Sequence, residues 1–231
     1  MDELSNKFFK CKLNSKWNCI KLNIKNIIKT KNKFLSIIEI LNLNVDIMSN
    51  CYFEIMCISK KYPPQKNENK FIYGKLIEIS LINAFNKIGF NCNDLDDNHL
   101  LGSEYLNDTR ILGIDISIKA KLNKGGNIIM INKNSDHNHM IKIETIVCIV
   151  NEGLLYFIPS YIVDVSYISN KNSKIEYKSS LLTLINKKHI NFIYQFPKLT
   201  DKQSSFANNL SKIHIYSTLY EQLQKEIVHI I

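Results

Sequence analysis

The stretch Gly74-Lys75-Leu76-Ile77-Glu78-Ile79-Ser80-Leu81-Ile82-Asn83-Ala84-Phe85-Asn86-Lys87-Ile88-Gly89-Phe90 reads as one amphipathic helix and its stop. Ile77, Leu81, Ala84, Phe85 and Ile88 recur at helical spacing and fall on one face. Gly89 stands where a helix C-terminus favours a left-handed residue. Glu78 breaks the pattern. At about 100° per residue it lies between Ile82 and Phe85 on the helical wheel, inside the apolar arc. Either it snorkels to water at the edge of that face, or it is paired, hydrogen-bonded or metal-bound, because burying a bare carboxylate is costly.

Downstream, Asn91–Asp108 is polar and acidic and reads as a loop with room for one short strand, its charges serving solvation. Ile111–Leu122 then alternates, with Ile114, Ile116, Ile118 and Ala120 on one face and Asp115, Ser117, Lys119 and Lys121 on the other. That is the signature of a half-buried strand. Asn123-Lys124-Gly125-Gly126 is a turn, and Ile128–Asn132 is expected to return as the second strand of a β-hairpin. Ile143–Val150 and Leu154–Ile162 are expected to form another strand pair around Asn151-Glu152-Gly153. Leu181–Lys187 and Leu210–Ile231 read as helical or mixed.

Upstream, Phe34–Leu43 reads as a helix and Cys51–Ser59 as an apolar, strand-like run. Lys60–Lys70, with Pro63-Pro64 and many charges, is a loop. It marks the expected boundary between a partly helical N-terminal extension (1–65) and a main core with a C-terminal helical or mixed segment (66–231). The chain has 231 residues and is 45% hydrophobic, enough for one sizeable core. Its formal net charge is +9, and every basic residue except Arg110 is lysine. Lysine is a point charge suited to phosphate oxygens, and a basic surface favours a polyanionic partner, nucleic acid first. A Lys-, Asn- and Ile-rich composition also follows from A/T-rich coding. The cysteines (11, 19, 51, 57, 92, 148) lack zinc-knuckle spacing and sit mostly in apolar runs. No charged-then-apolar leader and no long apolar span is visible, so a cytoplasmic or other reducing intracellular setting is expected.

A helix glutamate, a strand aspartate and a strand lysine are parts from which phosphodiester hydrolysis can be built. Carboxylates hold a divalent metal, and a lysine neutralises charge at the phosphate. Mg²⁺ takes oxygen ligands and keeps several waters, so two protein carboxylates can suffice. On this reading Glu78 and Asp115 are the candidate metal ligands, with Mn²⁺ as a substitute ion, and Lys133 is the phosphate-side cation.

These elements, in this order, resemble the PD-(D/E)XK nuclease superfamily. The matching residues are Gly74 to Glu78 opening the helix, Ile88-Gly89-Phe90 closing it and Gly113-Ile114-Asp115 on the next strand. Asn127-Ile128-Ile129-Met130-Ile131-Asn132-Lys133-Asn134 and Ile143–Val150 with Tyr156-Phe157-Ile158-Pro159 complete the series. The resemblance covers about residues 72–165. It implies an α/β restriction-endonuclease-like fold, a mixed central sheet flanked by helices, with N- and C-terminal extensions. It implies a Mg²⁺-dependent DNA endonuclease of type II restriction or homing type, acting on double-stranded DNA as a homodimer. Glu78, Asp115 and Lys133 would match the motif residues. The chain departs from the pattern at Ile131, where the superfamily carries an acid or Gln two residues before the lysine. Three explanations stay open. A bulge brings Asn132 inward as a neutral metal or water ligand; Ser117-Ile118-Lys119 serves as a Ser-x-Lys variant with its acid from elsewhere; or the site is degenerate and the protein only binds nucleic acid.

Asp136-His137-Asn138-His139 carries the letters of an HNH motif but not its spread, and reads as a polar loop. No Gly-rich phosphate loop or Gly-x-Ser-x-Gly elbow occurs, which argues against ATP use and serine hydrolysis.

Overall fold

The computed structural model describes residues 30–65, 69–94, 108–132, 143–171 and 174–210. Helix α1 (Thr30–Leu43) meets α2 (Val45–Lys61) at a 92° bend. Asn44 makes the corner: its side-chain amide donates to Ile40 O at 2.8 Å and its backbone N–H to Leu41 O at 3.1 Å. The strand expected at Cys51–Ser59 is instead part of α2. Met48, Cys51, Ile55 and Ile58 are buried at intervals of three and four, a helical stripe that the β-formers Tyr52 and Phe53 mask. Helix α3 (Asn69–Ile88) begins before Gly74 and stops as expected. Gly89 adopts φ 100° and Phe90 N–H donates to Phe85 O at 3.1 Å.

The main sheet has six strands: β1 (Asn93–Asp94), β2 (Thr109–Ile111), β3 (Ile114–Lys121), β5 (Glu144–Ile149), β6 (Leu154–Ile158) and β9 (Ile193–Gln195), in that spatial order. Only the β3–β5 pair is parallel. A second, antiparallel sheet has the order β4 (Ile128–Asn132), β8 (Lys174–Tyr177), β7 (Ile168–Lys171). The molecule is thus α/β, with a mixed sheet flanked by helices. Helix α4 (Ser180–Lys188) covers Leu181–Lys187, where a helical or mixed segment is expected, and α5 (Asp201–Asn209) follows β9. The segment beyond Leu210 lies outside the described residues.

The expected hairpin between Ile111–Leu122 and Ile128–Asn132 does not form. β3 already has two neighbours, antiparallel β2 and parallel β5, so β4 leaves the main sheet and pairs with β8. The β2–β3 hairpin is closed by Leu112-Gly113, both at positive φ (50° and 70°), as a two-residue primed turn requires. The β5–β6 pair matches expectation. A short 3-10 turn, Val150–Glu152, closes on Gly153 at φ 62°, and Ile149 pairs with Leu154.

One apolar core joins the helices to the main sheet. Phe34 of α1 lies edge-on to Phe157 (5.5 Å between ring centroids) and Phe192 (6.5 Å). Tyr52 of α2 stacks on Phe196 at 4.9 Å, and its hydroxyl donates to Val150 O at 3.1 Å. The described part of the expected N-terminal extension therefore packs into the same core as residues 69–196.

Candidate nuclease site

Helix α3 packs against β3, and this contact brings Glu78 to the sheet. Glu78 is buried, 8% exposed, as its place inside the apolar arc requires. Lys75, one turn earlier, donates to Glu78 Oε1 at 2.7 Å. The second carboxylate of the cluster belongs to Asp108, just before β2. Asp108 N–H donates to Ile116 O at 2.9 Å and so continues the hairpin by one residue. Its carboxylate then meets β3: Oδ2 accepts from Ser117 Oγ at 3.1 Å and from Ile118 N–H, with Lys119 Nζ at 3.5 Å. Ser117 is 1% exposed, so this network is internal.

Burial, and next the negative charge of Asp108, push the Glu78 carboxyl up from 4.5 to about 7, against the opposing pull of Lys75 and Lys119. Glu78 and Asp108, from different elements, thus act on one another electrostatically, each with an ammonium group against it. The donor set is all oxygen, which suits a hard divalent cation. Among the described residues, no group of three or more His, Cys, Asp or Glu is placed to hold a metal, so an ion here would rely on two carboxylates and water.

Of the residues expected at the site, Glu78 is in the cluster. Asp115 sits on the same face of β3 as Ser117 and Lys119, paired with Arg110. Its side chain is 41% exposed, and Arg110 grips both carboxylate oxygens, from Nε and from Nη2. Asn132 ends β4, on the second sheet, and β4 carries a register irregularity between Ile129 and Ile131. Lys133 and the Asp136–His139 segment lie outside the described residues. Ser117 and Lys119, of the Ser117-Ile118-Lys119 alternative, both contact the Asp108 carboxylate. The acidic stretch around Asp108 suggests solvation, but a two-residue turn at Leu112-Gly113 fixes where Asp108 falls. A two-residue turn there pairs Ile111 with Ile114 and Thr109 with Ile116, which sets Asp108 opposite Ser117.

No protein-family model matches the chain, and no curated protein matches it. A search of solved structures finds similarity to a restriction endonuclease in complex with substrate DNA, with a TM-score of 0.38 and 17% identity, over 61% of this chain and 81% of that one. No single described helix is long and apolar enough to cross a membrane.

Proposed function

We propose that this protein is a Mg²⁺-dependent DNA endonuclease of type II restriction or homing type. Its site is Glu78, Asp108 and Lys119, and it acts as a homodimer so that two sites meet the two strands of a duplex. The observation that carries this reading is the buried Glu78 of α3, 2.7 Å from Lys75 and under the charge of Asp108, whose own carboxylate faces Lys119 at 3.5 Å. Nothing in the packing of a hydrophobic core calls for two acids there, and a cation bound between them relieves their repulsion.

Glu78 and Asp108 would hold the ion, and a bound divalent metal supplies Lewis-acid polarisation of the phosphate and an acidified water. The chain's own residues do the rest. Ser117 and Ile118 N–H fix one oxygen of Asp108, leaving its other oxygen for the ion. Lys119, on a strand central to the main sheet, places a positive charge where the attacked phosphate gathers negative charge. The apolar face around Glu78 limits water, which strengthens each of these interactions. Asp108 and Lys119, rather than Asp115 and Lys133, take the motif roles in this reading.

A second reading, a non-catalytic nucleic-acid binder, draws on one observation. Ser117 stands two residues before Lys119, where the superfamily pattern has an acid, and it spends its hydroxyl on Asp108. A plasmid-nicking assay with Mg²⁺ or Mn²⁺ separates the two. Cutting by wild type that Asp108→Asn abolishes supports the enzyme. Inertness of both proteins, with DNA still retarded on a gel, supports the binder.

A further inference from the structure

The ion pair between Lys75 and Glu78 is poorly explained as a stabilising device. Lysine N-terminal to glutamate is the weaker orientation for a helical pair. Both side chains are largely buried, 17% and 11% exposed, where desolvation offsets most of the Coulomb gain. What the pair does achieve is neutrality. Lys75 balances Glu78 at 2.7 Å and Lys119 balances Asp108 at 3.5 Å, giving two acids and two ammonium groups. A divalent ion entering this cluster adds two positive charges beside two already present. It also needs carboxylate oxygens, and Lys75 holds Oε1 of Glu78. Lys119 extends from a β-strand paired on both sides, whereas Lys75 extends from a helix surface on a flexible stem.

We propose that Lys75 is a resident counter-cation that a divalent metal displaces from Glu78, so that Lys75 sets the metal affinity of the site. This rests on the metal-site reading above. The metal-free protein keeps its acids neutralised, and metal binding is opposed by the ammonium it must evict. Lys75 is a positioning residue here, acting through Glu78.

The test is Mn²⁺ binding by titration calorimetry at pH 8 with the full chain, in wild type, Lys75→Met, Lys75→Arg and Asp108→Asn. Losing one charge-assisted hydrogen bond that competes with the metal is expected to tighten Mn²⁺ binding in Lys75→Met by about tenfold or more. Lys75→Arg keeps the charge and stays near wild type. Wild-type binding with no tightening in Lys75→Met overturns the proposal while leaving the metal site standing. Absence of binding in wild type removes the metal-site reading, and displacement falls with it. Should Lys75→Met fail to fold, wild type alone decides. Acylation of Lys75, followed by mass spectrometry, rises several-fold on Mg²⁺ saturation if the ammonium is evicted, and unchanged labelling at saturation refutes it.

Discussion

Replacing Glu78 by Gln in the metal-free protein is expected to stabilise it at pH 8, against the usual result of altering a buried, paired residue. Burial and Asp108 raise the Glu78 carboxyl from 4.5 to about 7 in the fold. Between those values the folded protein holds a proton that the unfolded chain has released. Unfolding free energy therefore falls as pH rises through that window and is flat above it. A tenfold change in a protonation equilibrium is worth about 1.4 kcal/mol, so keeping Glu78 ionised costs the fold on the order of 3 kcal/mol at pH 8. Gln removes that cost but leaves the Lys75 ammonium without its carboxylate, so a net gain of about 1–2 kcal/mol is expected. Urea unfolding followed by circular dichroism, in EDTA from pH 4.5 to 8.5, measures both proteins. The difference between them isolates Glu78 from every other titrating group. It should grow in favour of Gln from pH 4.5 to 7 and then level off. With Mg²⁺ added at pH 8 the order should narrow or reverse, since only wild type has both ligands and ligand binding stabilises the folded state. A difference that stays flat with pH, or that favours wild type in EDTA at pH 8, refutes the reasoning.

Asp108→Asn should abolish metal-dependent plasmid cutting, whereas Asp115→Ala, which frees only an exposed pair with Arg110, should leave cutting and thermal midpoint at wild-type levels in the same assays. Asp108→Ala removes the acceptor of the Ile118 N–H inside the hairpin and should also cost about 1–3 kcal/mol in urea unfolding. Leu112→Asn should raise stability by about 1 kcal/mol, because leucine is held at φ 50° and Asn-Gly suits a primed two-residue turn far better. Phe34→Ala should cost about 3–5 kcal/mol and lower the midpoint of a single cooperative transition, since Phe34 is fully buried between Phe157 and Phe192. A separate early transition would instead mark α1 as an independent unit.

Periodicity revealed much of the architecture. The face of α3, its stop at Gly89, and the β5–β6 pair around Gly153 all follow from local pattern and turn chemistry, which act within a few residues. In α2 a run rich in β-formers hides a three-four spacing, and the packing of α2 on α3 decides for helix. The absent hairpin has another kind of cause. Whether β3 pairs with β4 or with β5 depends on which strand reaches its free edge, and Gly125-Gly126 permits either a turn or a departure to another sheet.

The helical repeat alone puts Glu78 inside the apolar arc of α3 and leaves two outcomes, a side chain that snorkels to water or one held by partners; burial and the Lys75 contact select the second. The sequence also determined the alternation that aligns Asp115, Ser117 and Lys119 along one side of β3. Which aspartate acts on Glu78 is a matter of long-range packing. Asp108 and Asp115 lie on the two arms of one hairpin, and the turn at Leu112-Gly113 sets Asp108 opposite Ser117 while Asp115 pairs with Arg110. Long-range packing sets that choice, and no local pattern encodes it.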